Sequence, residues 1–136
     1  MGDTYFLIVD DEANLAKINA RLASRFFLEC GRSIETIVAH SGPEALRVVE
    51  EKLTTNPNAE WGLLSDYDMP DMNGSQLIDQ LDAMLGDKLV FRVVATADLK
   101  PDRKIELEAK QVFVDQKPLD LSALESHFYT FLMSLT

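Results

Sequence analysis

One cysteine, Cys30, stands alone in the 136 residues. No internal disulfide forms from a single thiol, and a reducing compartment is the expectation. Long apolar runs are missing as well: none approaches the ~20 residues that span a bilayer. The start of the chain, MGDTYFLIVDDE, has only a few apolar residues closed by acids, without the basic start and long apolar core of a signal peptide. Basic residues are scarce, 13 Lys and Arg against 23 Asp and Glu, for a formal net charge of −10. Affinity for phosphate backbones comes largely from Lys and Arg, which argues against direct nucleic-acid binding. There is no internal repeat or low-complexity tract, and TTNPNAE (54–60) reads as a polar loop rather than a linker. One soluble, cytoplasmic domain with one core is the expectation. The acidic surface suits a divalent cation or a basic partner patch, with solubility as its plain alternative.

Five short apolar runs predict strands at 5–9, 35–39, 61–65, 89–96 and 111–114. The first, third and fourth are nearly continuous in apolar character, as in parallel strands covered on both faces. Helical patterns lie between them. Leu15, Ile18, Leu22 and Phe26 predict the inward face of a helix over 13–29. Ser41-Gly42-Pro43-Glu44 has the form of a capping box that opens a helix to about Lys52. Asn73-Gly74-Ser75 opens the next, with Leu77, Ile78 and Leu81 inward. Segment 98–110 is weakly patterned and reads as helix. A last helix follows Pro118, with Leu121, Leu124, Phe128, Phe131 and Leu135 on its inner stripe and Tyr129 and Met133 opposite, free for a partner or a homodimer. Strand and helix thus alternate five times, which implies a doubly wound parallel sheet. Ligands of such sheets sit outside the carboxyl ends of the strands.

The residues at those ends are Asp10-Asp11-Glu12 after the first strand, Asp66 at the third, Thr96 at the fourth and Lys117-Pro118 after the fifth. Brought to one edge, three carboxylates would repel and raise one another's pKa. A hard divalent ion resolves that conflict, and Mg2+ takes carboxylate, water and phosphate oxygens. A lysine and a hydroxyl beside the acids suit the oxygens of a phosphoryl group. The set fits a carboxylate nucleophile that accepts phosphate. Taken singly, Asp10-Asp11 reads as a solvated cap of the first helix, Thr96 as strand-end filler and Lys117 as a surface lysine. His40 and His127 read as surface or half-buried residues away from the acids, and Cys30 as inert.

FLIVDDE, LLSDYDMPDMNG, VVATAD and QKPL, in that order, resemble the motifs of response-regulator receiver domains of two-component signalling, including single-domain chemotaxis regulators. The resemblance runs from about Tyr5 to the last helix, so residues 1–136 read as a single receiver domain. It implies a flavodoxin-like (βα)5 fold with strand order 2-1-3-4-5. It implies Asp66 as phosphoacceptor and Mg2+ held by Asp11 and Asp66, by Asp10 through water, and by the backbone carbonyl of Asp68. Thr96 and Lys117 would contact the phosphoryl oxygens, and the Lys117–Pro118 peptide would be cis. Asp68 and Asp98 occupy places that tune phosphoryl lifetime in the family. The implied donor is a sensor histidine kinase or phosphotransfer protein, acting on an unidentified output partner, and the chain would not be a metabolic enzyme. Two departures stand out. The position three residues before the lysine, where the family carries its switch aromatic, holds Val114, with Phe113 one residue earlier, and Glu108-Ala109-Lys110 replaces the usual Gly-Ala.

Three rival readings fit less well. A small aspartate-nucleophile phosphatase would use Asp66 and Asp68, but that pair belongs at a first strand with Thr at position 70, which is Pro70. A calcium loop fails because Pro70 and Asp71 fall on the fifth-ligand and glycine positions. A scaffold working without phosphorylation would not require the full set of Asp, Thr and Lys.

Overall fold

The computed structural model describes residues 3–136. Among these residues five strands, β1 (Thr4–Val9), β2 (Glu35–Ala39), β3 (Glu60–Asp66), β4 (Leu89–Thr96) and β5 (Phe113–Gln116), alternate with five α-helices. The helices are α1 (Ala13–Glu29), α2 (Gly42–Thr55), α3 (Gly74–Leu85), α4 (Pro101–Ala109) and α5 (Leu121–Ser134). All strand pairs are parallel, in the order β2-β1-β3-β4-β5. This is the doubly wound architecture implied by the alternation, with the strand order implied by the resemblance.

The period-two alternation of β1 explains the two layers. Tyr5, Leu7 and Val9 face one core with Trp61, Leu63, Leu77, Ile78 and Leu81. Phe6 and Ile8 face the other with Phe27, Leu64, Phe91, Phe128 and Phe131. Helices α2, α3 and α4 therefore cover the first face, and α1 and α5 the second. The central strands are buried on both sides, whereas the edge strands β2 and β5 are largely half-exposed. No helix among the described residues is long and apolar enough to cross a membrane.

Four local expectations are corrected. The inner line of α1 is Ala16, Asn19, Ala23 and Phe27. Leu15, Leu22 and Phe26 flank that line half-buried, and Ile18 is 52% exposed. The burial face, two alanines, an asparagine and the fully buried Phe27, is thus turned by one residue from the most apolar stripe. On α5, Leu124, Phe128 and Phe131 are buried, but Leu121 lies in the exposed first turn and Leu135 is only half-buried. On α2, Ser41 Oγ accepts from the Glu44 amide, but the Glu44 carboxylate accepts from the His40 amide rather than from the cap residue. Strand β5 begins at Phe113 rather than at 111, because Gln111 adopts φ 63° in the turn that ends α4. The Asn73–Gln76 box at α3 forms in both directions.

Gly62 reports how closely α5 approaches the sheet. A β-carbon there would lie 2.6 Å from Phe131 Cδ1 and 2.7 Å from Phe6 Cδ1, two rings whose centroids are 5.1 Å apart. Both rings are fully buried. Gly62→Ala is expected to destabilise the chain by about 1–3 kcal/mol with an unchanged urea m-value. A urea midpoint equal to that of the parent would show that the α5 packing is looser than described.

Candidate functional site

The carboxyl edge of the sheet gathers the acids. Strands β1 and β3 are neighbours, with Val9 opposite Ser65, so the residues that follow each, Asp10 and Asp66, meet. Asp10 is 4% exposed and Asp66 8%, while Asp11 beside them is exposed. One carboxylate oxygen from each of the three lies within 4.8 Å of the others. Lys117 reaches in from the end of β5. Its ammonium lies 3.0 Å from Asp10 Oδ2 and 3.3 Å from Asp66 Oδ1. Its amide donates to the Thr96 carbonyl, and the Lys117–Pro118 peptide is cis. Asp10 Oδ1 also accepts from the Glu12 amide at 2.9 Å, so the acid closes the entry to α1 while its other oxygen holds the lysine. Glu12 occupies the cap position of α1 without a side-chain capping bond.

Asp10 and Asp66 share one ammonium while Asp11 stands alongside, exposed, so the three acids are not neutralised. Burial pushes the Asp66 carboxyl from 3.8 up to about 6; Lys117 opposes the rise and the charges of Asp10 and Asp11 add to it. For Lys117, burial acts to lower the pKa, but the bond to Asp10 and the charges of Asp66 and Asp10 outweigh it and leave the pKa raised. All three acids supply oxygen donors only. The donor set and its uncompensated charge fit a hard divalent cation. Close backbone packing shapes the loop after Asp66: a β-carbon on Gly74 would lie 2.7 Å from the Asp66 carbonyl oxygen.

The other expected residues arrange themselves differently. Thr96 is fully buried, and its hydroxyl donates to the Asp98 carbonyl while accepting from the Asp98 amide, both at 3.2 Å. The Asp68 carboxylate turns away from the acid cluster to Arg103, 3.3 Å away. His40, expected apart from the acids, stands beside them at the end of β2, its Nδ1 3.4 Å from the Asp10 carbonyl oxygen. His127 does lie apart, paired to Asp115 at 2.6 Å and packed near Phe91 and Phe113. Tyr129, Met133 and Cys30 are exposed.

Arg103 is absent from the sequence-based expectation. Its Nη1 lies 3.0 Å from Thr96 Oγ1, 3.0 Å from the Asp98 carbonyl and 3.3 Å from Asp68 Oδ2. Its guanidinium stacks 3.8 Å from the Tyr67 ring centroid. The one available signal was Pro101 at the start of α4, which sets Arg103 in the first turn, beside the strand ends.

Neither a family model nor a curated relative matches the chain. Solved structures do. A two-component response regulator from Cytophaga hutchinsonii superposes with a TM-score of 0.76 at 21% identity, covering 99% of this chain and 100% of that one. The chemotaxis response regulator CheY4 of Vibrio cholerae gives 0.65 at 23% identity, over 98% and 99%. The receiver domain of NtrC4, solved as a beryllofluoride-activated dimer, gives 0.68 at 21% identity, over 96% and 98%. The chain has the fold of response-regulator receiver domains over nearly its whole length.

A carboxyl whose pKa is raised by folding binds its proton more tightly in the folded state. Between its unfolded value of 3.8 and its folded value of about 6, the stability contributed at Asp66 therefore falls as pH rises. Without divalent cations, Asp66→Asn should gain stability over the parent by on the order of 2–3 kcal/mol more at about pH 7.5 than at about pH 4. Urea unfolding of both proteins in EDTA at the two pH values measures this; equal differences would mean that Asp66 is not destabilised by burial.

Proposed function

We propose that the chain is a phosphoacceptor signalling module, in which Asp66 takes a phosphoryl group from a phosphohistidine of a sensor histidine kinase or phosphotransfer protein in the cytoplasm. The observation that carries this reading is the meeting of Asp66 with Asp10, Asp11 and Lys117 at one sheet edge. With its pKa at about 6, Asp66 is mostly ionised near neutral pH and so available as a nucleophile. A carboxylate oxygen of Asp66 forms a bond to phosphorus as the donor's phosphorus–nitrogen bond breaks, and the imidazole nitrogen leaves with the electron pair. Lys117 then holds a phosphoryl oxygen as a point donor, and Thr96 donates its hydroxyl to another. Asp10, Asp11, Asp66 and the carbonyl of Asp68 would hold Mg2+, which when bound supplies positive charge against the acids and the transferring group. Hydrolysis of the acyl phosphate by water returns Asp66 and releases phosphate. The chain turns over no metabolite. Its output is an altered surface for a partner or a second copy, to which Tyr129 and Met133 are accessible.

Intact mass after incubation with acetyl phosphate and Mg2+ tests the reading. The parent should gain one phosphoryl group, and both Asp66→Asn and an EDTA control should gain none. Lys117→Ala should slow the gain by about 100-fold. A gain surviving in Asp66→Asn would assign the acceptor elsewhere. No gain from acetyl phosphate or from a purified histidine kinase would favour a scaffold that works without phosphorylation.

A further inference from the structure

We propose that Arg103 is the positioning residue through which the state of Asp66 reaches helix α4; this rests on the phosphoacceptor reading of Asp66. Strand β5 offers no ring on the α4 side. Val93 pairs with Phe113 and Val94 with Val114, so Phe113 and Val114 face opposite sides of the sheet. Phe113 is 51% exposed and stacks with Phe91, centroids 5.6 Å apart, on the α5 side. Val114 packs in the core on the α4 side, where it has neither a ring nor a polar atom.

The Thr96 hydroxyl has no spare capacity. It has one hydrogen and two acceptor positions, and these are taken by the Asp98 carbonyl, the Asp98 amide and Arg103 Nη1. Donation to a phosphoryl oxygen therefore requires the hydroxyl to leave the Asp98 carbonyl. Arg103 is oversubscribed in the opposite sense. Nη1 has two hydrogens and faces three acceptors: Thr96 Oγ1, the Asp98 carbonyl and Asp68 Oδ2. One of the three is always underserved, so small changes in charge or position redistribute the bonds. Arg103 also belongs to α4, and its stack on Tyr67 joins that helix to the residue next to Asp66.

Phosphorylation adds negative charge at Asp66 and turns the Thr96 hydroxyl toward it. Arg103 follows both, loosening its bond to the Asp98 carbonyl and its stack on Tyr67, and draws the first turn of α4 inward. The full chain, isotope-labelled, tests this with Mg2+ and beryllofluoride as the phosphoryl mimic. Fluorine resonances report occupancy of Asp66, and amide resonances of residues 101–109 report the helix. Arg103→Ala and Arg103→Lys are compared with Lys104→Ala, an exposed neighbour on the same turn. Lysine keeps the charge but loses the planar fork and the stack.

The parent and Lys104→Ala should show bound beryllofluoride and shifted α4 amides. Both Arg103 variants should keep the bound signal and unliganded helical α4 shifts, while the response of α4 falls by about threefold or more. An undiminished α4 response in the Arg103 variants, with beryllofluoride bound, overturns the role of Arg103 and leaves Asp66 as acceptor. Absence of bound beryllofluoride in the parent, with no mass gain from acetyl phosphate, overturns the acceptor reading and this inference together.

Discussion

The Lys117 ammonium between Asp10 and Asp66 is the contact on which the rest of the edge depends. Its two partners are 107 residues and 51 residues away in the chain and stand at the ends of adjacent strands. Without that charge, two largely buried carboxylates would face each other with Asp11 alongside. Each would be penalised by desolvation and by its neighbours. The bridge makes the cluster tolerable but does not neutralise it. That residual negative charge is what a bound cation would offset.

The sheet beneath holds these groups at fixed separation. Its two cores are filled by opposite sides of the same strands, so neither layer shifts without disturbing the other. On the α1 and α5 side, Phe6 packs against Phe27, Phe128 and Phe131, with centroids 5.1–5.7 Å apart. The opposite flank differs at α4, where only Leu107 is buried. A helix with so little burial is held largely by polar contacts, and those of Arg103 converge on Thr96, Asp98 and Asp68. The packed sheet and the sparsely buried helix α4 thus meet near Asp66, through Arg103 on Tyr67.

Much of this was legible in the residues. Near-continuous apolar runs marked the three central strands, the Asn73 box marked the start of α3, and acids and a lysine stood at strand ends. The misread features share one cause. The face of α1, the start of β5 and the position of His40 depend on what lies opposite in space. Arg103 was invisible because an arginine in a polar helix is usually a solvated residue, and its partners lie on other elements.

The sequence by itself determined the alternation of strands and helices and the chemistry available at each strand end, because period and residue type are local properties of the chain. Tertiary structure alone decided which of those ends meet. It turned α1 by one residue so that Ala16, Asn19, Ala23 and Phe27 are buried, placed Phe113 on the α5 side, and set Arg103 against Thr96. Those outcomes follow from strand order, pleat and close packing, which join residues far apart in the chain.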